Sequence, residues 1–406
     1  MIQFSARGLA PFWEIICFVA ETLYQKVWQV LNFHLTLQNE IIYLEVKMED
    51  KKYCIWLSSL PHIGSRKYIS LIKYFGSAKR VFESNRNELL ESGILNEKIV
   101  DIIVTKRDID KIHRYLKKLK ENDIKVYTID EEEYPENLKN IYDPPPVLYV
   151  KGNLKVSDVN SIAVVGSRKA SDYGLKTAEK LGMELAEAGI TVVSGMALGI
   201  DSAAHRGALK AGGRTIAVFA CGLNYVYPRS GYNLAKEIIK TGAIISEYPL
   251  GIEAIPQNFP ARNRIISGMS KGVVIVEASE KSGSLITAEF ALEQGRDVFA
   301  VPGNVGMPNS TGTNALIKEG AKLVTCVDDI LEEYGIEARD IKSTNHYEEL
   351  DEIDKSILRS LELSGKNIDQ IIEDMNMDTS MIISKIAQLE IKGLIKEIGN
   401  IYFRNY

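Results

Sequence analysis

The stretch Ile162-Ala163-Val164-Val165-Gly166-Ser167-Arg168 decides the fold of this chain. Four apolar residues in succession predict a buried strand, and the strand ends in a loop of glycine, serine and arginine. The same arrangement recurs between residues 162 and 324, where short apolar runs alternate with helical patterns. Strands separated by helices form a parallel sheet. We therefore predict an α/β fold with a Rossmann-like doubly wound, mostly parallel sheet.

The loops that follow these strands carry groups that bind anions. Amides of glycine-rich turns and helix N-termini favour negative charge, and arginine makes paired hydrogen bonds to phosphate. The carboxyl ends of parallel strands share one edge of a sheet, where ligands bind. We therefore predict a phosphate-binding site at this edge. Its candidate residues are Gly166, Ser167, Arg168, Ser194, Gly195, Arg229, Phe259, Arg262, Asn263, Arg264, Ser282 and Gly283.

Aromatic residues lie in the same loops, namely Tyr225, Tyr227 and Phe259. Aromatic faces beside arginines suit the bases of a single-stranded nucleic acid, but loop aromatics also anchor loops into a core. The sequence leaves both roles open. It also leaves open whether Arg264 contacts a phosphate or forms an ion pair with a glutamate such as Glu247.

Composition restricts the possible classes of function. With 406 residues, 45% of them hydrophobic, the chain is long enough for two or three domains. Its net charge of -5 argues against a generally basic surface, so any polyanion must bind to a local patch. The four cysteines form no C-x-x-C pair and the histidines are scattered, so we expect neither disulfides nor a metal. The apolar run Leu9 to Ala20 is too short to span a membrane.

Changes in composition predict five parts. The first part does not match the remainder, and we hypothesise that the native chain starts at Met48, where the recognisable architecture begins. The parts are an extension (1–47), a helical SAM-like or helix-hairpin-helix domain (48–120), an extended Rossmann-like domain (121–335), a linker (336–350) and a winged helix (351–406).

The two flanking domains each admit two roles. Turn amides near Ile63 and Gly64 suit a DNA phosphate, but a single hairpin is a weak motif, and we favour a packing role. In the winged helix, acidic residues outnumber basic ones, and the recognition helix of residues 378–391 offers only Lys385 as a positive charge. We therefore favour a protein contact or weak DNA binding over groove reading.

Cofactor and catalytic motifs are missing from the sequence. No two glycines stand two apart, which excludes the dinucleotide fingerprint, and Gly365-Lys366 lacks the context of a Walker A loop. We therefore expect no NAD, FAD or ATP. Asp201 and His205 lie one helical turn apart and suit an acid/base pair, but we favour helix capping by Asp201 and packing.

Three segments stand in a characteristic order: Val165-Gly166-Ser167-Arg168, Ser194-Gly195-Met196-Ala197-Leu198-Gly199-Ile200-Asp201 and Phe259-Pro260-Ala261-Arg262-Asn263-Arg264-Ile265-Ile266-Ser267-Gly268. In this order they closely resemble the DNA-processing protein A family, also called DprA or Smf. The resemblance covers roughly residues 48–406 and includes both flanking domains. Residues 1–47 fall outside it.

The resemblance implies a bacterial cytoplasmic protein that binds single-stranded DNA, protects it, and helps to load RecA recombinase during natural transformation and recombination. It also implies a homodimer formed through the central domain. On this basis Gly166, Ser167 and Arg168 form the phosphate loop, and Arg229 and residues 262–264 extend the positive pocket. The family binds and delivers DNA rather than breaking bonds, so we expect no enzyme activity.

Two rival interpretations belong to other classes. Related glycine-rich α/β enzymes hydrolyse nucleoside monophosphates, but they carry Pro-Gly-Gly-x-Gly-Thr followed by Glu, where this chain has Pro302-Gly303-Asn304-Val305-Gly306. The second rival interpretation is a transcription factor that uses its winged helix. It predicts binding to duplex DNA that survives deletion of residues 124–325.

Overall fold

The computed structural model describes residues 50–336, 351–361, 365–375, 377–391 and 394–404. The chain divides into two compact units, Met1–Glu337 and Ala338–Tyr406. The predicted extension, the hypothetical start at Met48 and nearly all of the predicted linker lie outside the described residues.

The described part of the first unit begins with six helices around one apolar core that includes Trp56, Leu57 and Leu71. Polar side chains at positions 77, 85, 96 and 108 accept amides of the first turn and so start four of these helices. The N-cap of helix α2 is instead Gly64, which has no side chain to accept an amide. The helices are α1 (50–58), α2 (Ser65–Phe75), α3 (Ala78–Glu83), α4 (Arg86–Glu91), α5 (Glu97–Thr105) and α6 (Ile109–Glu121).

A nine-stranded sheet follows, in the spatial order β1-β2-β6-β5-β4-β3-β7-β8-β9. Strands β3 to β9 are parallel to one another, while β2 pairs antiparallel with β6 and β1 pairs antiparallel with β2 at that edge. The predicted mixed α/β fold with a mostly parallel sheet is therefore confirmed. The strands are β1 (Lys125–Thr128), β2 (Val147–Gly152), β3 (Ser161–Val165), β4 (Thr191–Ser194), β5 (Thr215–Val218), β6 (Ala243–Ser246), β7 (Gly272–Ile275), β8 (Asp297–Ala300) and β9 (Lys322–Leu323).

The strand order reverses at β3. The chain proceeds from β3 through β4 and β5 to β6 on one side, and β7 then returns to pair with the other side of β3. Loops that leave β3 and β7 in opposite directions open a crevice at their carboxyl ends, which is the usual ligand site of such sheets.

Helices cover both faces of the sheet and bury two apolar clusters. One cluster includes Val165, Ile216 and Ile275, and the other includes Val164 and Val274, as expected for strands whose side chains alternate between faces. The helices are α7 (Glu136–Lys139), α8 (Asp172–Glu187), α9 (Ile200–Lys210), α10 (Tyr232–Thr241), α11 (Asn258–Met269), α12 (Gly283–Glu293), α13 (Thr311–Lys318) and α14 (Asp328–Leu331).

The described residues of the second unit form three helices and a hairpin. Its core includes Ile357, Ile371 and Leu389. Gly399 and Asn400 both have positive φ, as a two-residue hairpin turn requires. The elements are α15 (Glu352–Ser360), α16 (Ile368–Met375), α17 (Thr379–Ile391), β10 (Ile395–Ile398) and β11 (Ile401–Arg404).

Within the described ranges, no helix combines the length and the apolar composition needed to cross a bilayer. The same part of the chain contains no cluster of three or more His, Cys, Asp or Glu side chains able to hold a metal ion.

Candidate nucleic-acid interface

The loop after β3 lies at the crevice where the strand order reverses. Ser167 donates its amide to the carbonyl oxygen of Glu277, just after β7, at 2.7 Å. A Cβ at Gly166 would lie 2.7 Å from Ile200 Cγ1 and 2.9 Å from the Glu277 carbonyl oxygen, so this close approach requires glycine. The Ser167 hydroxyl accepts the amide of Lys169 at 3.1 Å. The loop is therefore held between two parallel strands and fixes the start of the Arg168 side chain.

Arg168 is exposed and makes no ion pair with any described residue. Its guanidinium carbon lies 5.1 Å from the centre of the Phe259 ring, which is the geometry of a cation–π contact. Lys169, the next residue, is also exposed and has no carboxylate partner within the described ranges. Two adjacent positive charges are therefore available to a ligand.

A groove of about 690 Å³ runs past this loop. It contains Lys169 and Asn309, which the sequence analysis did not identify. The charge of Lys169 beside Arg168 was a usable signal, whereas Asn309 lies in no motif and reaches the groove by donating to the Lys169 carbonyl oxygen at 3.0 Å. The predicted site residues that line the groove are Gly166, Ser167, Arg168, Phe259, Arg262, Asn263, Ser282 and Gly283.

The far wall of the groove is the first turn of α12. Ser282 caps this helix by accepting the Ser284 amide at 3.4 Å. Asn263 donates to the Gly283 carbonyl oxygen at 3.2 Å and so ties α11 to the same turn. Because helix N-termini carry partial positive charge, this wall favours an anion, as Arg168 does.

The aromatic side chains remain accessible. Tyr227 is 51% exposed, and its ring centre lies 5.5 Å from that of Phe259. Tyr225 is also exposed, although it does not line the groove. The rings of Tyr227 and Phe259 thus form a surface on which planar groups stack, next to the charge of Arg168.

Arg262 lines the groove but is only 3% exposed. Its Nη1 donates to the carbonyl oxygens of Gly195, at 2.6 Å, and Val218. Burial lowers the pKa of Arg262 to about 10, while the nearby Asp201 carboxylate acts in the opposite direction. Arg262 therefore connects α11 to the ends of β4 and β5 through Nη1, while its buried Nε has no partner among the described residues.

Four predicted site residues lie outside the groove lining. Ser194 is buried and donates to the Val164 carbonyl oxygen at 2.6 Å, and Gly195 is buried beneath Arg262. Arg229 is exposed on a short 3₁₀ turn. Arg264 forms ion pairs with Glu247 and, at 3.2 Å, with Asp143, so the ion-pair alternative holds for this arginine.

Asp201 and His205 are both buried and make hydrogen bonds inside the protein, so they do not form an open acid/base site. The predicted capping role of Asp201 is wrong, because the N-cap of α9 is Gly199. Asp201 Oδ2 instead accepts the amides of Gly195 at 3.1 Å and Ala197 at 3.3 Å, and so holds the preceding loop. Burial raises the pKa of Asp201, while Arg262 opposes that shift.

Comparison with known proteins gives concordant matches. The family model for DNA recombination-mediator protein A matches residues 125–335. Protein Smf of Escherichia coli (strain K12) is 40% identical over 283 residues, which cover 68% of this chain and 76% of that protein. DNA processing protein DprA of Streptococcus pneumoniae is 47% identical over 208 residues, which cover 51% of this chain and 73% of that protein.

The fold matches a solved structure as well. The X-ray structure of DNA processing protein A (DprA) from Streptococcus pneumoniae is similar with a TM-score of 0.63 and 38% sequence identity. The match covers 70% of this chain and 97% of that chain.

Proposed function

We propose that this chain, which belongs to the DNA recombination-mediator protein A family, binds single-stranded DNA in the groove beside β3. Membership of the family assigns the chain to DNA processing in recombination. The observation that carries the single-strand proposal is the Arg168 guanidinium, which is exposed, unpaired with any described carboxylate and stacked on Phe259.

The groove offers two kinds of contact that a flexible polynucleotide needs. Arg168, Lys169 and the first turn of α12 suit backbone phosphates, since all three favour negative charge. Tyr227 and Phe259 offer ring faces for unstacked bases. Asp201 is the one acidic residue of the groove lining, and its carboxylate is buried against two amides. Contacts of this kind carry little sequence information, so we propose binding with little base preference.

The other predicted site residues take supporting roles in this proposal. Gly166 and Ser167 hold the loop, and Arg262 fixes α11 against the strand ends. Arg264 stabilises the fold through its ion pairs. We propose that Arg229 extends the positive surface beyond Tyr227, because it is exposed and follows Tyr227 by two residues.

The test is a fluorescence anisotropy titration with single strands of several sequences over a range of salt concentrations. Arg168→Ala should weaken binding to all sequences alike and lower the salt slope by about 0.7, the value for one lost phosphate contact. Arg206→Ala is the matched control, because Arg206 is also exposed but lies on α9 outside the groove lining. An unchanged salt slope in Arg168→Ala would rule out a direct phosphate contact.

Other family properties belong to the same proposal. They are RecA loading, protection of incoming DNA, a homodimer, a cytoplasmic location, the helix-hairpin-helix and winged-helix character of the flanking domains, and the domain boundaries predicted from sequence. The six helices before the sheet support the first domain assignment, and three helices with a hairpin support the second.

We further propose that the chain acts by binding rather than by hydrolysis. Glu277 lies near Pro302 and Gly303, but both of its carboxylate oxygens accept hydrogen bonds, from Ser171 and Asn309. Incubation with nucleoside monophosphates should release no free base, as measured by chromatography. Release of base with turnover would favour the hydrolase interpretation instead.

A further inference from the structure

A second pocket of about 460 Å³ lies between the N-terminal helices and the sheet. We call it the module pocket, and its walls include Gly64, Arg66, Lys67, Tyr142, Glu247 and Arg264. Glu247 directly follows β6, and the pocket also contains Val147, where the antiparallel β2 begins. The module pocket therefore lies on the same carboxyl edge of the sheet as the groove.

The N-terminus of α2 opens into the module pocket. Amides in the first turn of a helix have no partner within the helix, and Gly64 supplies no side-chain cap. The first turn carries Arg66 and Lys67 and no acidic residue. Positive side chains are unfavourable beside the positive end of a helix, so an anion bound between them would compensate both.

Arg264 gives independent support from the opposite wall. Its side chain is only 9% exposed, yet its Nη1 has no hydrogen-bond partner among the described residues. Nε and Nη2 are used by Asp143 and Glu247. A buried donor without a partner is costly, and a phosphate oxygen is a strong acceptor for guanidinium.

The charges of the module pocket favour an anion. Arg66, Lys67 and Arg264 face two carboxylates, those of Asp143 and Glu247, and both carboxylates are already paired with Arg264. Arg66 and Lys67 have no carboxylate partner within the described ranges, and Lys67 only donates to the His62 carbonyl oxygen at 3.2 Å. With three positive and two negative side chains, the pocket keeps one positive charge in excess, and the two cations of the first turn of α2 have no direct carboxylate partner among the described residues.

The module pocket also carries an exposed ring. Tyr142 is 73% exposed, and the Arg66 guanidinium carbon lies 4.5 Å from its ring centre. An arginine stacked on an exposed tyrosine repeats the pairing of Arg168 with Phe259 in the groove. Charge beside an aromatic face suits single-stranded nucleic acid.

We propose that the module pocket binds a backbone phosphate of the same single strand that occupies the groove, so that the N-terminal helices lengthen the binding track. Helix α11 contributes Arg262 and Asn263 to the groove and Arg264 to the module pocket, which makes the two sites neighbours across one helix. This inference rests on the proposed function of the groove. It reverses the preference for a pure packing role of the Ile63-Gly64 turn.

Gly64→Asp tests the inference in the full chain. Gly64 has extended backbone angles, φ -83 and ψ 175, and an added Cβ would meet no atom within 4 Å, so aspartate fits as an N-cap. Its carboxylate would occupy the amides that the phosphate needs and would repel the strand. Because a cap stabilises a helix, the thermal midpoint should stay the same or rise, which separates loss of the site from loss of the fold.

The measurement is affinity for labelled oligothymidines of increasing length, from about 4 to about 30 nucleotides. Short strands should bind Gly64→Asp as they bind the wild type, while long strands should bind roughly tenfold more weakly, the loss of one charge-assisted contact. The salt slope for long strands should fall by about 0.7. Lys73→Ala, at the other end of α2, is the control and should bind like wild type.

The double variant Arg66→Ala with Lys67→Ala provides a second test that introduces no new charge. It too should lower the affinity for long strands and leave the affinity for short strands unchanged. Wild-type affinity and salt slope for long strands in both variants would overturn the inference. Weaker binding to duplex DNA with unchanged binding to long single strands would overturn it as well. If the groove itself did not bind the strand, Arg168→Ala would leave the affinity for short strands unchanged. That result would distinguish failure of the proposed function from failure of this inference.

Discussion

At the scale of single residues, His205 is held in one tautomer. Its Nδ1 lies 2.6 Å from Thr215 Oγ1, and that hydroxyl donates its own hydrogen to the Val192 carbonyl oxygen at 2.8 Å. Nδ1 must therefore carry the proton, while Nε2 has no partner among the described residues. Burial, together with the charge of Arg262, lowers the pKa of His205 to about 3.

This histidine should make stability depend on acidity. An unfolded histidine has a pKa near 6.5, so below that value the unfolded chain binds a proton that the folded chain refuses. The contribution is complete above about pH 6.5 and is lost as the pH falls towards 3, by roughly 1.4 kcal/mol per pH unit. His205→Asn keeps a donor for Thr215 without the titration.

Urea unfolding at pH 7 and pH 5 measures the effect. Between these two pH values the wild type should lose about 2 kcal/mol more of its unfolding free energy than His205→Asn does. The comparison between variants cancels the contributions of Asp201 and Glu247, whose pKa values are raised by burial. Equal losses in the two proteins would show that His205 is protonated in the fold.

Arg264 and Arg168 lie in the same region, but their replacement should change the free energy of unfolding by different amounts. Arg264→Met leaves Glu247 and Asp143 without their partner, and Glu247 is buried enough that its pKa is raised, so the unfolding free energy should fall by roughly 3 kcal/mol. Arg168→Ala should change it by less than about 0.5 kcal/mol, since Arg168 is exposed. Denaturant titration of both variants checks this, and a large loss of stability in Arg168→Ala would identify it as structural.

At the scale of secondary-structure elements, helices α8 and α9 approach each other through two glycines. An added Cβ at Gly207 would clash with the Glu179 carbonyl oxygen, and one at Gly182 would clash with that of Ala204. Backbone therefore packs directly on backbone, which positions the start of α9 against the loop after β3. The Ile200 amide reaches the Ser167 carbonyl oxygen at 3.3 Å.

Gly207→Ala should consequently destabilise the protein although alanine is the better helix former by about 1 kcal/mol. Forcing the two helices apart costs roughly 1 to 3 kcal/mol. Gly283→Ala is the control, because its Cβ would meet no atom within 4 Å and should leave stability unchanged or higher. Thermal unfolding of the two variants gives the comparison, and equal midpoints would mean that the helix pair adjusts freely.

The local sequence predicted the helices and strands better than it predicted which partners each side chain contacts. The strand-loop repeats located the sheet and the Gly166-Ser167-Arg168 loop because burial and turn chemistry are written in neighbouring residues. Arg168, Arg262 and Arg264 look alike in sequence. Their roles differ because carbonyl and carboxylate partners far along the chain bind Arg262 and Arg264 but not Arg168.

At the scale of the whole molecule, the groove belongs to one unit. All of its lining residues lie within Met1–Glu337, and the second unit has its own apolar core. Removal of residues 338–406 should therefore leave the affinity for single strands and its dependence on Arg168 unchanged. Anisotropy titrations of the shortened chain check this, and a loss of binding would show that the second unit supplies contacts to the strand.

The pairing of β3 with β7 joins Ile162 to Gly272, with three strands of the sheet formed from the chain between them. The groove draws on residues from Val165 to Asn309, so no short fragment contains it. During synthesis, a ribosome must release nearly the whole first unit before the groove can be complete. Chains that end before Asn309 therefore lack part of the groove, and full affinity for a strand reports that the first unit has been made and has folded.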